Sequence, residues 1–196
     1  MDSPRHGNLT GNPRKVKDTA VELYTVSTLW KNHRDEGIEL IRQITELKLQ
    51  WLEEKVKRQE LENQMQLLCD KLETTYYKLE KLVQKLDILT SHMEGMAKLE
   101  EYQEKNKIGR FANIDESDTS HMFLTWPTRR FYDACQQIQM CYKEEIEAKK
   151  IIAENVAHST TKDDLVFYMS AWGHDPFITD RCCLLLESFL CETGHR

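Results

Sequence analysis

Apolar residues recur every three or four positions along most of this 196-residue chain. Alternate steps of four and three residues from Leu40 to Met96 meet an almost entirely apolar series. Its members are Leu40, Ile44, Leu47, Trp51, Glu54, Arg58, Leu61, Met65, Leu68, Leu72, Thr75, Leu79, Leu82, Leu86, Leu89, Met93 and Met96. A register held this long without proline predicts one long, coiled-coil-like helix, whose weakest turn is at Glu54 and Arg58.

The same register extends towards the N-terminus. Counting backwards gives Trp30, Val26, Leu23 and Val16, which predicts an earlier helix from about residue 14. Gly37 falls between the two helical stretches. Because glycine weakens a helix, we predict a break or a bend at this position.

The positions beside this apolar seam indicate how the long helix packs. A column of lysines runs beside the seam. In an antiparallel pair of identical helices these lysines would face one another, and in a parallel pair almost none of them would face an opposite charge. These lysines are Lys71, Lys78 and Lys85. On the other side, the apolar stripe is widened by Cys69, Tyr76 and Val83. The pattern favours a bundle helix or half of a heteromeric coil, and makes the three lysines candidate protein-binding residues.

Helix lengths also point to a partner chain. A straight helix from Leu40 to Met96 would be roughly 85 Å long at about 1.5 Å per residue, whereas the next predicted helix is roughly 45 to 50 Å long. Folding that helix back therefore covers only about half of the seam. We expect the rest to pack against another chain, in a hetero-oligomer rather than a homo-oligomer.

The composition is typical of an all-α protein with bundle-type packing. Charged residues make up 31% of the chain, which has only 7 glycines and 4 prolines. We divide it into a disordered arm over residues 1–13, a long helical region over 14–104, a linker over 105–124 and a C-terminal helical region over 125–196. The linker loses the periodicity and carries Asp, Ser, Asn and Gly.

The C-terminal region contains three predicted helices. The first starts in the stretch TWPTRRFYDA and has a buried face made of Phe131, Cys135, Ile138, Tyr142, Ile152 and Val156. The second starts with a capping box at Thr161 and ends in WGHDPF, through Gly173 and Pro176. The third runs from an N-cap at Thr179 to Gly194. Its residues that need burial are Leu184, Leu185, Leu186, Phe189 and Leu190.

The stretch TWPTRRFYDA, residues 125–134, combines a helix start with a dense group of aromatic and arginine side chains. Thr125 is placed to cap the amide of Thr128, with the proline in the first turn. Trp126, which precedes the proline, is the alternative cap. The candidate protein-binding residues are Trp126, Arg129, Arg130 and Tyr132, because this composition is enriched at binding hot spots. The competing interpretation buries Trp126 against the long helix.

Charge, hydropathy and cysteine spacing exclude several classes of protein. A net charge of −6 does not support direct nucleic-acid binding, and no stretch of 18 apolar residues predicts a membrane span or a secretory signal. Six cysteines without a C-x-x-C pair predict no metal site and reduced, mostly buried thiols. We predict no catalytic or cofactor-binding residue. A nucleophile pair of Cys135 or Cys182 with His158 or His174 lacks an oxyanion loop in the sequence.

Several motifs carry a resemblance to a known family. FLTWPTRRFYDA, NVAH, YMSAWGHDPF and the terminal LLLESFLCETGHR resemble the C-terminal half of the cyclin-dependent kinase 2-interacting proteins, and RKVKDTAVELY with Trp30 is similar to their first helix. The resemblance covers roughly residues 14–196. The two C-terminal motifs are specific, whereas the coil is generic.

This resemblance implies a non-enzymatic nuclear adaptor. The partners it implies are cyclin-dependent kinase 2, the Cdc7 kinase, the ATR-interacting protein, origin and replicative helicase components, AAA-type ATPases and a second small helical subunit. The processes it implies are the linking of cell-cycle kinases to replication origins, ATR checkpoint signalling, replisome proteostasis and ribosome maturation. No kinase-binding residue carries over, since the family has no crisp motif for that contact. The alternatives are a purely structural coiled-coil subunit of another assembly and, third, a Cys–His enzyme.

Overall fold

The computed structural model describes residues 11–53, 58–108 and 123–196. These residues contain helices and no strand, which confirms the all-α prediction. The helices are α1 (Asn12–Glu53), α2 (Arg58–Ile108), α3 (Thr128–Asn155), α4 (Lys162–His174) and α5 (Asp180–Glu192), with a 3₁₀ turn (Val156–His158) between α3 and α4. Residues 1–10 of the predicted arm and 109–122 of the predicted linker lie outside the described residues. None of the described helices is both long and apolar enough to span a membrane.

The long apolar seam folds back on itself. α1 and α2 are antiparallel neighbours, because Lys78 lies 3.0 Å from Glu36 and Lys85, further along α2, pairs with the earlier Glu22. The seam residues of both helices are buried between them. They include Val16, Leu23, Val26, Trp30, Leu40 and Ile44 on α1, and Leu72, Leu79, Leu86 and Met93 on α2.

The prediction of one helix from Leu40 to Met96 is therefore wrong. α1 ends at Glu53 and α2 begins at Arg58, next to the polar positions that interrupt the seam. Because the register has the same period on both sides, folding back buries both apolar stripes at once. The part of the seam that was expected to need another chain is covered within this one.

α3 packs along the hairpin as a third long helix, antiparallel to α2. Near the start of α3, Arg129 lies 3.2 Å from Glu101. Further along, Lys143 lies 2.9 Å from Asp87, which comes earlier in α2. α2 thus has two helical neighbours, as its widened apolar stripe predicts. On that stripe Val83 is buried, and Cys69 and Tyr76 are half-buried.

The predicted buried face of α3 is confirmed. Phe131, Cys135, Ile138, Tyr142, Ile152 and Val156 are all buried. On this face the Tyr142 ring meets Trp30 of α1 edge to face, with ring centroids 4.9 Å apart. The three long helices therefore share one core, and α3 closes the side of the hairpin that α1 and α2 leave open.

α4 and α5 are short helices that pack on α1 and α3. On α5, Leu186, Phe189 and Leu190 are buried as predicted. Leu184 is 66% exposed, so its predicted burial is wrong. At 3.6 residues per turn, Leu184 lies on the opposite side of the helix from Leu186 and Phe189.

Candidate protein interface and its supporting joint

The motif WGHDPF supplies a joint between α4 and α1. Trp172 is fully buried, and its indole Nε1 donates a 2.9 Å hydrogen bond to the backbone carbonyl of Arg34. Gly37 lies directly beneath the ring, since a Cβ at this position would be 2.4 Å from three atoms of Trp172. α1 runs through Gly37 without interruption, so the predicted break is wrong. The glycine lets the indole approach the helix backbone.

A buried ionic cluster lies beside this indole. Lys149 of α3 is fully buried, and its Nζ lies 2.9 Å from Glu145, 2.7 Å from Asp175 and 2.5 Å from the carbonyl of Trp172. The ammonium also lies 5.1 Å from the centre of the indole ring. A buried charge is tolerated only when it is paired and hydrogen-bonded. Lys149 meets this condition, because two carboxylates and a backbone carbonyl contact its ammonium group.

The two carboxylates of the cluster are held by further donors. Glu145 accepts a 2.9 Å hydrogen bond from the backbone N–H of Phe177, and Asp175 accepts one of 3.2 Å from Arg34. Two cations thus balance two anions across α1, α3 and the α4–α5 turn. We call the set of Arg34, Gly37, Glu145, Lys149, Trp172 and Asp175 the joint.

The observed ends of α4 and α5 agree with the predicted ones in most respects. Thr161 and Thr179 accept hydrogen bonds from the backbone N–H groups three residues on, as predicted. α4 ends at WGHDPF, but the left-handed residue is Asp175, with φ 46°, and not Gly173. Gly173 lies inside α4, where a Cβ would be 3.2 Å from Ile38. Its small size therefore serves the close approach of α4 to α1.

We call the predicted helix start TWPTRRFY (Thr125–Tyr132) the corner. Its N-cap differs from the predicted one. Pro127 is the N-cap residue and no side chain caps the helix. Thr125 instead hydrogen-bonds to Glu192 of α5, through its N–H at 2.9 Å and its hydroxyl at 2.5 Å. The predicted caps, Thr125 and alternatively Trp126, are both wrong, because Pro127, which is extended with φ −70° and ψ 159°, is the N-cap and follows them.

The four candidate residues of the corner have different environments. Trp126 is half-buried against Phe131 and Phe189, so α3 and α5 cover it. Arg130 stacks on its outer side, with its guanidinium carbon 5.2 Å from the ring centre.

Arg129 is exposed, but its guanidinium group already contacts three side chains of the same chain. It pairs with Asp133 at 3.1 Å and with Glu101 of α2, and it stacks over Tyr132 at 5.1 Å. Tyr132 is buried. The surface that the corner presents therefore consists of the two arginines and the rim of Trp126, with the 74% exposed Leu124 preceding them.

The three candidate lysines lie along the α1–α2 hairpin. Lys78 and Lys85 are half-exposed and pair with glutamates of α1, as described above. The Lys78 ammonium, through its hydrogen bonds, holds the pKa of Glu36 below its usual value. Lys71 is exposed and lines a shallow groove between the two helices with Gln43 and Gln64. Two of the three lysines are thus already paired with glutamates of the same chain.

The cysteines do not have the environment of nucleophiles. Cys135 is fully buried, and burial raises the pKa of its thiol to about 12. Burial likewise raises the pKa of the Cys182 thiol. A nucleophilic cysteine needs the opposite shift, which favours the thiolate. The prediction of mostly buried thiols holds only in part, since Cys135 and Cys182 are buried, Cys69 and Cys141 are half-buried, and Cys183 and Cys191 are exposed.

The sequence analysis did not predict the joint. Arg34, Glu145 and Lys149 are charged residues on helices whose other charges face solvent, so periodicity assigns them to the surface. One sequence feature does indicate the ion pair. Glu145 and Lys149 are four residues apart, on either side of the buried Ile146, which places both next to the core face of α3. Gly37, at a seam position, was the other signal.

Comparison with known proteins gives relatives along the whole chain. The chain is 30% identical over 207 residues to the cyclin-dependent kinase 2-interacting protein of Xenopus laevis and 30% identical over 211 residues to that of Homo sapiens. The Bos taurus protein of the same name is 29% identical over 211 residues. Each alignment covers 99% of this chain and 95% of the relative. No family model matches the chain.

Proposed function

Because the chain belongs to the family of cyclin-dependent kinase 2-interacting proteins, we propose that it is a non-enzymatic adaptor that binds cyclin-dependent kinase 2. The observation that carries this proposal is likeness over nearly the full length of both chains, so that the hairpin and the C-terminal helices are shared together. The fold supports it. Buried thiols of raised pKa suit a scaffold better than a catalyst.

The corner is the surface that we assign to partner binding. Arg130 lies over the Trp126 ring, and Arg129 is held by Glu101 and Asp133, so both guanidinium groups are positioned before a partner arrives. Ordered arginines beside an aromatic ring lose little side-chain entropy on binding. Lys71 and the neighbouring exposed groove residues are a second contact region on the hairpin.

The finer partners remain part of the same proposal. They are the Cdc7 kinase, the ATR-interacting protein, origin and replicative helicase components, AAA-type ATPases and a second small helical subunit, in the nucleus. Their support is the family resemblance together with a fold that has exposed apolar residues away from the shared core, such as Tyr102, which is 66% exposed. The alternative, a purely structural coiled-coil subunit, predicts none of these partners.

Binding to purified cyclin-dependent kinase 2 tests the proposal. The full chain is immobilised and the kinase, with and without its cyclin, is passed over it in a biolayer interferometry experiment. We expect saturable binding that falls at least tenfold for the Arg129→Ala/Arg130→Ala variant. Arg181→Ala, an exposed arginine on α5, is the matched control and should bind as the wild type does.

The outcomes separate the function from the surface. If the wild-type chain does not bind the kinase in either form, the adaptor function is wrong. If the wild type binds and the double variant binds equally well, the corner is not the contact surface. Circular dichroism of each variant shows whether the helices are intact. Affinity purification of the endogenous protein from nuclear extracts, with mass spectrometry, decides between the finer partners and the structural alternative.

A further inference from the structure

A groove between α3 and α5 brings two cysteines together. Cys141 on α3 and Cys182 on α5 both line it, beside Met140 and Leu185, and it encloses about 370 Å³. Burial and, after it, the neighbouring Cys141 thiol raise the pKa of the Cys182 thiol. Cys141 is half-buried, whereas Cys182 is buried. The groove is open to solvent on the Met140 side, since that side chain is exposed.

The other four cysteines are placed differently, and all six lie in the described residues. Cys69 is on α2 and Cys135 is buried in the core, while Cys183 and Cys191 are exposed. Cys183 follows Cys182 on the same helix, so its side chain is turned by about 100° and leaves the groove. The fold therefore selects Cys141 and Cys182 from positions 41 residues apart in sequence (182 − 141).

We propose that Cys141 and Cys182 are a redox-responsive pair that hydrogen peroxide converts into an intramolecular disulfide between α3 and α5. α3 and α5 pack against each other and both thiols line the groove between them, and a disulfide joins cysteines whose Cα atoms are about 4.4–6.8 Å apart. The more exposed Cys141 reacts first, because peroxide reaches it from the groove. Cys182 then acts as the resolving thiol.

The chemistry balances with one molecule of peroxide. The Cys141 thiolate attacks one peroxide oxygen, the O–O bond breaks, and hydroxide leaves, which takes up a proton to give water and a sulfenic acid. The Cys182 sulfur attacks the sulfenic sulfur, the S–O bond breaks, and the oxygen leaves as a second water with the Cys182 proton. Burial keeps the thiolate fraction of Cys182 small, but its position in the same groove as Cys141 offsets this by holding the nucleophile near the sulfenic sulfur.

The disulfide would fix the start of α5 to α3, about 15 Å along α5 from the residue that contacts the corner. Glu192, at the end of α5, holds the backbone of Thr125 and Trp126 through hydrogen bonds of 2.9 and 3.2 Å. An oxidised chain would therefore restrain the helix that positions the corner, and would fill part of the groove with the bridging sulfurs. Reduction by cellular thiols would restore the open groove.

Peptide mapping of the oxidised protein tests this inference. The reduced full chain is treated with hydrogen peroxide, blocked with N-ethylmaleimide and digested without reductant. We expect a peptide pair linked through Cys141 and Cys182 in at least half of the monomeric chains, and a rise in melting temperature that dithiothreitol reverses. Cys141→Ser should abolish both effects, whereas Cys191→Ser, the control at an exposed thiol, should keep both.

Two outcomes would overturn the inference. One is wild-type protein in which Cys141 and Cys182 both end as blocked thiols or as separate oxidised acids. The other is oxidation that yields mainly dimers linked through Cys183 or Cys191. Because Cys141 is only half-buried, its serine variant is expected to fold, and its circular dichroism spectrum confirms that before the map is interpreted.

Discussion

The α1–α2 hairpin and the joint stabilise the same protein in different ways. The hairpin buries a long series of similar aliphatic side chains, each of which makes a modest contribution, and its ion pairs lie at the surface. The joint depends on a few unlike residues, each of which meets several others: an indole on a glycine, and a lysine between two carboxylates. The hairpin therefore distributes its stabilisation over many equivalent side chains, whereas the joint concentrates it in a few.

The largest effect is expected from breaking the ionic cluster of the joint. Lys149→Met leaves Glu145 and Asp175 buried without their ammonium partner, which costs about 3–5 kcal/mol of unfolding free energy. Urea denaturation followed by circular dichroism measures it. Lys150→Met, on the adjacent exposed residue, should change stability by less than about 0.5 kcal/mol. Equal effects of the two substitutions would mean that Lys149 is solvated.

Next in size is the loss of one seam residue from the hairpin. Leu79 is fully buried, so Leu79→Ala should cost about 2–5 kcal/mol. Leu67, on the same helix, is 54% exposed, and Leu67→Ala should cost far less. The same urea titration compares them. A small cost at Leu79 would indicate that α1 does not cover α2.

A pair of glycines separates packing from helix propensity. Gly37→Ala places a methyl group against the ring of Trp172, and we expect a net loss of about 1–2 kcal/mol after the gain in helix propensity is included. Gly95 of α2 has nothing within 4 Å of the corresponding position, so Gly95→Ala should stabilise the protein by about 0.5–1 kcal/mol. Thermal melts should shift in opposite directions, and a stabilising Gly37→Ala would contradict the close approach of Trp172.

The smallest effect concerns the surface ion pairs of the hairpin. The folded-state pKa of Glu36 is lowered by Lys78, so this pair contributes stability above the unfolded pKa of about 4.5 and loses it as the pH falls through the lower folded value. Both side chains are largely exposed, which limits the contribution to at most about 1 kcal/mol. The stability difference between wild type and Lys78→Met should therefore be present at pH 7 and shrink towards pH 3. A difference independent of pH would exclude the ion pair as its source.

The sequence predicts the repetitive part of the fold better than the joint. The period of the seam, the buried face of α3 and the caps at Thr161 and Thr179 follow from residue spacing, and the structure confirms them. The reversal of the chain was missed because a heptad register has no direction: it continues equally well along one helix or back along a second. The polar seam residues Glu54 and Arg58 were the local evidence for a reversal.

The joint could not be predicted for a different reason. A buried lysine is acceptable only when its partners arrive from other elements, and Asp175 comes from a turn 26 residues further along the chain (175 − 149). The local pattern places Lys149 beside the core face, but it does not show that residues from other elements bury it. The corner is partly predictable. Its composition identifies it as a candidate interface, but the contact of Thr125 with Glu192 depends on where α5 packs.

Small-angle X-ray scattering of the full chain, coupled to size-exclusion chromatography, tests the central claim most directly. α2 is about 76 Å long at about 1.5 Å per residue, so a chain that folds its own seam has a maximum dimension of roughly 80–110 Å, even with its first residues extended. We expect that value together with the mass of a single chain. A maximum dimension of about 145 Å or more, the length of one continuous helix from Asn12 to Ile108, would contradict the hairpin.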